Sequence, residues 1–386
     1  MRRFAFWLAV VLVLGLVSPA GGTTAQRTAE LKILAPSALL MEPVSGRILW
    51  ERDADLQAAP ASVTKLMTLL LAYEALAAGK VSLDDRVVAS PAAAELGGTQ
   101  IWLYPGEEME LRDIIRAVAV GSANDAAAAL AEHIAGSEGE FVALMNERAS
   151  ALGMTGTRFQ NAHGLDAEDQ FTTASDIAVL SRELVLHHPE VLELTSVYLD
   201  YVRQHLGADH TEILNRNRLV RFYPGADGLK TGWTTAAGYC LAATAQRGGT
   251  RFIAVIMASA SRDARDADAR TLLNYGFGNY AAVRGASRGE AVARVPVDLG
   301  LFGGIDLLAA DDFGVVVPKG KQQGVERVLE VPGYLRAPIR AGAVLGELVL
   351  CLDGTEIGRT SLVAATAIPA LGWPAVVGRL IQKTLR

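Results

Sequence analysis

Strand-like and helix-like runs are segregated along the first 285 residues of this 386-residue chain, and that segregation limits the folds open to it. Ala38–Met41 and Arg47–Trp50 read as a hairpin turning at Glu42-Pro43-Val44-Ser45-Gly46. Tyr239–Ala245 and Phe252–Ser259 read as a second hairpin, turning at Arg247-Gly248-Gly249. Between them the pattern turns helical, with helices predicted over Ser62–Ala78, Leu111–Val120, Asp125–Ala135 and Phe141–Leu152, and from Asp176 to about His187. Gly79 stops the first of these, and Thr172-Thr173-Ala174-Ser175 opens the last as a capping sequence. Strands early, helices in the middle and strands late imply one antiparallel sheet with the helices packed against it, an α+β fold.

Past Gly285 the chain changes to short valine- and glycine-rich runs such as Ala291–Val297, Gly314–Pro318 and Gly346–Leu352, the marks of a small all-β C-terminal domain. The N-terminus begins with Arg2 and Arg3, runs through the apolar stretch Phe4–Val17, and reaches small residues at Ser18-Pro19-Ala20 and Thr23-Thr24-Ala25. That is the pattern of an export signal, with an apolar core short of the roughly 20 residues that a span needs. At the other end Trp373, Val376, Val377, Leu380, Ile381 and Leu385 share one helical face opened by Pro374, with Arg379, Lys383 and Arg386 on or beside the other. No acidic residue occurs from Thr366 onward, so this tail suits an interface with anionic lipid headgroups; a terminal helix docked on its own domain is the other reading. The expected domains are therefore 1–25 (signal), 26–285 (catalytic), 286–365 (β-rich) and 366–386 (amphipathic anchor).

The formal charge of −6 becomes more negative once Arg2 and Arg3 leave, which argues against nucleic acid as a partner. Cys240 and Cys351 fall in different expected domains and are read as unpaired. No Cys/His grouping has metal-ligand spacing, so neither a metal nor a cofactor is expected.

Three short motifs carry the chemistry: Ser62-Val63-Thr64-Lys65, Ser122-Ala123-Asn124 and Lys230-Thr231-Gly232. Ser62 is the only serine in the chain with a lysine three residues on, and Lys230 opens the only Lys-Thr-Gly. Ser62 stands at a helix N-terminus, where free N–H groups and the positive dipole end favour a developing oxyanion. Lys65 shares its face one turn on and can reach the serine hydroxyl. To accept a proton its amine must be neutral, which requires burial or a neighbouring cation, and Lys230 is the candidate. A plain cap and a surface lysine would explain the pair singly, but Leu66, Leu69 and Leu70 make this helix a costly place for an idle charge. Ser122 and Asn124 lie where one helix stops and another starts, so Asn124 is expected to cap the second helix while both side chains project into a cleft. Asp227–Gly232 reads as an edge strand on which an extended peptide can add, with Gly232 bare so that a substrate backbone comes close.

With these motifs the chain resembles the bacterial D-alanyl-D-alanine carboxypeptidases, the low-molecular-mass penicillin-binding proteins. The likeness extends over Asn161-Ala162-His163-Gly164-Leu165-Asp166, Leu214-Asn215-Arg216-Asn217 and Asp227–Gly232, and to the layout of signal, β-rich domain and tail. It implies a penicillin-binding/β-lactamase-like fold and an acyl-enzyme on Ser62, formed from peptidoglycan stem peptides and, covalently, from β-lactam antibiotics. It further implies Lys65 as base, Ser122 and Asn124 as relay and orienting pair, Lys230 and Thr231 at the substrate carboxylate, and the N–H groups of Ser62 and Trp233 around the oxyanion. Gly232 and Trp233 would line the cleft, and Arg262, with Arg216 in support, would give further carboxylate contacts. Ala123 replaces a frequent glycine and Trp233 a histidine of some members, which leaves substrate preference open. His163 is read as structural.

Three other functions compete. A class A β-lactamase needs a glutamate to activate the deacylating water, and Glu212-Ile213-Leu214-Asn215 is one residue short of its usual Glu-x-x-Leu-Asn setting. A dd-endopeptidase or transpeptidase would use the same motifs with another acceptor. An inactive wall-binding scaffold would not need all six motif side chains.

Overall fold

The computed structural model describes residues 31–374 apart from 205, 206, 208 and 209. The expected export signal and residues 375–386 of the tail lie outside the described residues. The two predicted hairpins join into one five-stranded antiparallel sheet, in the order Arg47–Arg52, Ser37–Glu42, Thr250–Ser259, Gly238–Arg247, Ala226–Thr234. Leu39 lies opposite Val255, and Thr231 opposite Leu241. The second hairpin turns on Gly248 and Gly249 with φ of +54° and +79°, left-handed values that match the twist of the strands it joins.

The central strands Ser37–Glu42 and Thr250–Ser259 read as unbroken apolar runs because helices flank the sheet. Helix Ala174–His187, capped by Thr173 Oγ1 accepting from the Asp176 amide, packs on both strands. Helix Arg262–Asn279, absent from the sequence-based reading, packs there too. Its sequence is dominated by charge, which hid the narrow face of Ala269, Leu272, Leu273 and Gly276 that the sheet covers. Asp268 on this helix accepts from the Leu34 and Ala35 amides and fixes the entry of the first strand.

In the helical block the predicted helix from Ser62 begins as a 3-10 turn, Ala61–Thr64, and continues as the α-helix Lys65–Ala77. Leu66, Met67, Leu69 and Leu70 are fully buried, as befits a helix enclosed on all sides. The helix expected over Leu111–Val120 is α-helical only to Arg116 and then widens into a π turn, Ala117–Gly121. The wider turn delivers Ser122 in the left-handed conformation, φ +63°, before helix Asn124–Ala135 starts. Asn124 does not cap that helix: the N-cap is Ala123, and Asn124 is the first helical residue with its side chain free for other work.

The β-rich region holds a six-stranded sheet ordered Val325–Glu330, Val344–Leu352, Thr355–Ala364, Gly304–Ala309, Ala291–Asp298, Leu335–Arg336. A further pair, Tyr280–Ala286 with Phe313–Pro318, straddles the expected boundary at 285 and 286. Its core is built on Val295, Val297, Leu307, Leu348, Leu362 and Ile368. Arg47 reaches across from the catalytic sheet, donating to the Val316 carbonyl at 3.2 Å. The stretch expected to be helical from Thr366 starts otherwise: Ile368 bridges Ile339, and Leu371 N–H donates to the Leu299 carbonyl, so this part belongs to the β-rich core. Cys240 and Cys351 are both free thiols.

Candidate active site

Ser62, Ser122, Asn124, Thr231, Gly232 and Trp233 converge on one cleft of about 630 Å³, together with Arg216 and Arg262. Lys65 and Lys230 lie behind its wall, both buried. The Lys65 Nζ sits 3.1 Å from Ser62 Oγ, 2.7 Å from Asn124 Oδ1 and 2.5 Å from the His163 carbonyl oxygen. A neutral amine has two N–H bonds and one lone pair. In that neutral form Asn124 Oδ1 and the His163 carbonyl accept the two N–H bonds, and the lone pair is left to face the Ser62 hydroxyl. The amide orientation of Asn124 is fixed independently, because its Nδ2 donates to the Gly97 carbonyl at 2.7 Å.

Burial, and then the positive charge of Lys230, holds the Lys65 pKa well below its ordinary value; Asp125 opposes them. Lys230 is lowered to about 7 by burial and by the nearby Arg216 and Arg265. Its Nζ donates to the Thr231 carbonyl at 3.1 Å. Lys230 thus lies buried behind the cleft wall, bonded to the Thr231 carbonyl, and the basic side chains among the cleft-lining residues are Arg216, Arg262 and Arg265. Arg265 was missed in the sequence, although it stands three residues after Arg262 and so shares its helical face.

His163 is buried and is not among the cleft-lining residues. Its Nδ1 accepts from the Leu165 amide at 3.2 Å, and Nε2 lies 3.5 Å from Glu138 Oε1. Burial and the charge of Lys65 lower its pKa to about 3, so the imidazole is neutral. The loop around it is tied down by Thr68 Oγ1 donating to the Ala162 carbonyl and by Asn161, which bonds both Gly164 N–H and the Leu165 carbonyl.

Gly232, which lines the cleft, has a second reason to be bare besides substrate approach. A Cβ there would lie 2.9 Å from Ser62 N and 3.0 Å from Ala61 Cβ, so the edge strand is pressed against the nucleophile's own backbone. Trp233 is 56% exposed, tilted against Tyr239 at 6.0 Å between ring centroids, and forms an aromatic wall. Glu212 belongs to strand Thr211–Leu214 and does not line the cleft, while Asn215 beside it is spent on the Thr195 and Val197 carbonyls. Asp166, accepting from Thr234 Oγ1, is the acidic side chain among the cleft-lining residues.

A serine facing a buried lysine whose charge is disfavoured, on an antiparallel sheet with a helical block, defines a class, the serine acyl-transfer enzymes that use lysine in place of histidine. The chain belongs to the D-alanyl-D-alanine carboxypeptidase family, whose model matches residues 23–261. The model of the penicillin-binding protein 5 C-terminal domain matches residues 280–370. The chain is 38% identical over 349 residues to the D-alanyl-D-alanine carboxypeptidase DacF of Bacillus subtilis, covering 90% of this chain and 89% of that one. Its structure is similar to penicillin-binding protein 5 from Haemophilus influenzae, with a TM-score of 0.76, 31% identity, and coverage of 88% and 98% of the two chains. It is also similar to penicillin-binding protein D2 from Listeria monocytogenes in its ampicillin-bound form, with a TM-score of 0.59, 33% identity, and coverage of 64% and 99%.

Proposed function

We propose that this chain is a serine D-Ala-D-Ala carboxypeptidase that trims the terminal D-alanine from peptidoglycan stem peptides. The observation that carries the mechanism is the pairing of Lys65 Nζ with two acceptors, which aims its lone pair at Ser62 Oγ. Lys65 takes the hydroxyl proton as Ser62 Oγ bonds to the carbonyl carbon between the two D-alanines. The oxyanion rests on the Ser62 and Trp233 N–H groups, an arrangement supported by how tightly Gly232 is packed on the Ser62 amide. As the C–N bond breaks, the leaving amine takes a proton through Lys65 and Ser122, and Asn124 keeps the lysine in register. Thr231 and Gly232, with the charge of Lys230 behind them and Arg216, Arg262 and Arg265 on the wall, receive the substrate carboxylate. Water then takes the acyl group from Ser62, with Lys65 again as base.

A β-lactam ring opened by Ser62 would leave a persistent adduct, since no glutamate faces the ester among the cleft-lining residues. The β-rich region 286–365 serves as a stand, and the protein works outside the cytoplasm, attached peripherally through its C-terminal tail. Among the described residues no helix is long and apolar enough to cross a membrane. The test is D-alanine release from a tripeptide ending in Lys-D-Ala-D-Ala, with Ser62→Ala beside the wild type. Release by the wild type alone, with penicillin labelling lost in the variant, is the expected result. Equal release from both would remove Ser62 from the mechanism.

A further inference from the structure

The turn between strands Ala291–Asp298 and Gly304–Ala309 is built the wrong way round for a surface turn. Turn tips are ordinarily polar, yet this one reads Leu299-Gly300-Leu301-Phe302-Gly303, with Leu301 55% and Phe302 58% exposed. The strands behind it are ordinary, with Val297 and Ile305 buried in the β-rich core. The tip is held to the outgoing chain by two hydrogen bonds: Leu301 N–H donates to the Pro369 carbonyl at 3.0 Å, and Leu371 N–H to the Leu299 carbonyl at 2.7 Å. A Cβ on Gly300 would lie 2.7 Å from Ile368 Cγ2, so the backbone is seated directly on that segment. Two residues past Leu371 stands Trp373, 82% exposed. Beyond Pro374 the sequence continues with Arg379, Lys383 and Arg386 and no acidic residue.

We infer that Leu301, Phe302 and Trp373 form a lipid-contacting wedge that enters an anionic membrane interface beside the tail. This rests on the reading of the tail as a peripheral attachment and adds a second, folded contact to it. Continuity carries the choice of occupant, since the tip is bonded to the very segment that leads into the basic tail. Basic side chains are at hand: exposed Arg336 pairs in register with Asp298 beside the turn, and exposed Arg340 follows the Ile339–Ile368 bridge. One amphipathic segment holds a protein to lipid only reversibly, and two bulky apolar side chains on a rigid tip strengthen that hold and fix the angle of the domain.

The test is co-sedimentation of the full mature chain with vesicles of phosphatidylcholine containing phosphatidylglycerol. It is run beside Leu301→Ser/Phe302→Ser and beside a chain ending at Pro374. The double variant is expected to lose partitioning roughly tenfold or more, while D-alanine release from the soluble tripeptide is unchanged. If that variant loses soluble activity, Phe302→Ser alone replaces it. Equal partitioning of wild type and double variant, with loss only in the truncated chain, would overturn the wedge and leave the tail as sole anchor. Failure of the wild type to partition at all would overturn the attachment itself. A lipid-free dimer that the double variant dissolves in sedimentation velocity would replace lipid by a second copy of this chain.

Discussion

Gly164 faces the Ala61 carbonyl so closely that a Cβ would fall 2.0 Å from its oxygen. Gly164 has φ +83°, and Ala61 itself is held at φ +47°, a strained value for alanine. With Gly232 pressing from the edge strand, the residues just before Ser62 are gripped from two sides. The nucleophile is therefore placed by backbone contact.

Gly164→Ala should accordingly cost about 2–4 kcal/mol of stability and slow penicillin acylation at least tenfold, because relief requires moving Ala61. Gly79→Ala is the matched control. It shares a positive φ of +65° but has nothing within 4 Å of its Cβ position, so it should cost about 1 kcal/mol and leave acylation alone. Thermal unfolding and labelling rates measure both. Equal labelling by the two variants would show that the grip is not what positions Ser62.

Asn124→Asp tests the charge state of Lys65. An aspartate 2.7 Å from Nζ would favour the ammonium and raise a pKa that burial and Lys230 now hold down. The base must be neutral, so the acid limb of kcat/KM should move to higher pH and activity at neutral pH should drop. A variant that loses activity with no movement of that limb would assign Asn124 to substrate orientation alone.

Lys230→Met should stabilise the fold while crippling turnover. The native Lys230 pKa of about 7 lies below the unfolded value, so the unfolded chain binds the extra proton between them. The buried charge destabilises the native state fully below about pH 7. That cost fades as pH rises toward about 10.4, where the unfolded lysine also loses its proton. The gain in Tm from the methionine should therefore be largest in acid and vanish in alkali. An equal gain across the range would mean better packing rather than relief of a charge. In the wild type the same pKa sets an alkaline limb on kcat/KM near neutrality, which Lys230→Arg should push upward.

The sheet, the principal helices and the three motifs were legible because periodicity and turn chemistry are local. The Ser62–Lys65 contact was legible for the same reason, since three residues on a helix span one turn. What required coordinates was set by contacts between distant segments. Gly232 looked bare for the substrate alone, yet Ala61 and Ser62 also leave no room for a side chain there. Asn124 looked like a cap, yet the π turn before it rotates the junction so that Ala123 caps and Asn124 reaches Lys65. Helix Arg262–Asn279 and its Arg265 were hidden by charge, because only a thin face meets the sheet. The His163 carbonyl, which completes the lysine's hydrogen bonding, has no side-chain signature at all.

Asp125 is the least conspicuous of the residues that shape the site. Its fully buried carboxylate accepts from the Ile101, Leu103 and Ala126 amides at 2.9–3.2 Å, and so pins the loop whose Gly97 carbonyl orients Asn124. A buried ion pair holds the far side of that loop, with Arg203 donating to both oxygens of Glu107 and to the Ile101 carbonyl. Asp125→Asn would turn an amide NH₂ toward at least one of those N–H donors. The expected cost is about 1–3 kcal/mol, the range for a buried donor left without its acceptor. It should appear locally first, as faster hydrogen exchange at Ile101 and Leu103 while the amides of Thr250–Ser259 keep their protection. Loss of the Asp125 charge would also lower the Lys65 pKa further, since that charge now opposes the shift. The acid limb of kcat/KM should then move to lower pH, opposite to Asn124→Asp. A limb that stays in place while loop exchange accelerates would confine Asp125 to tethering the loop.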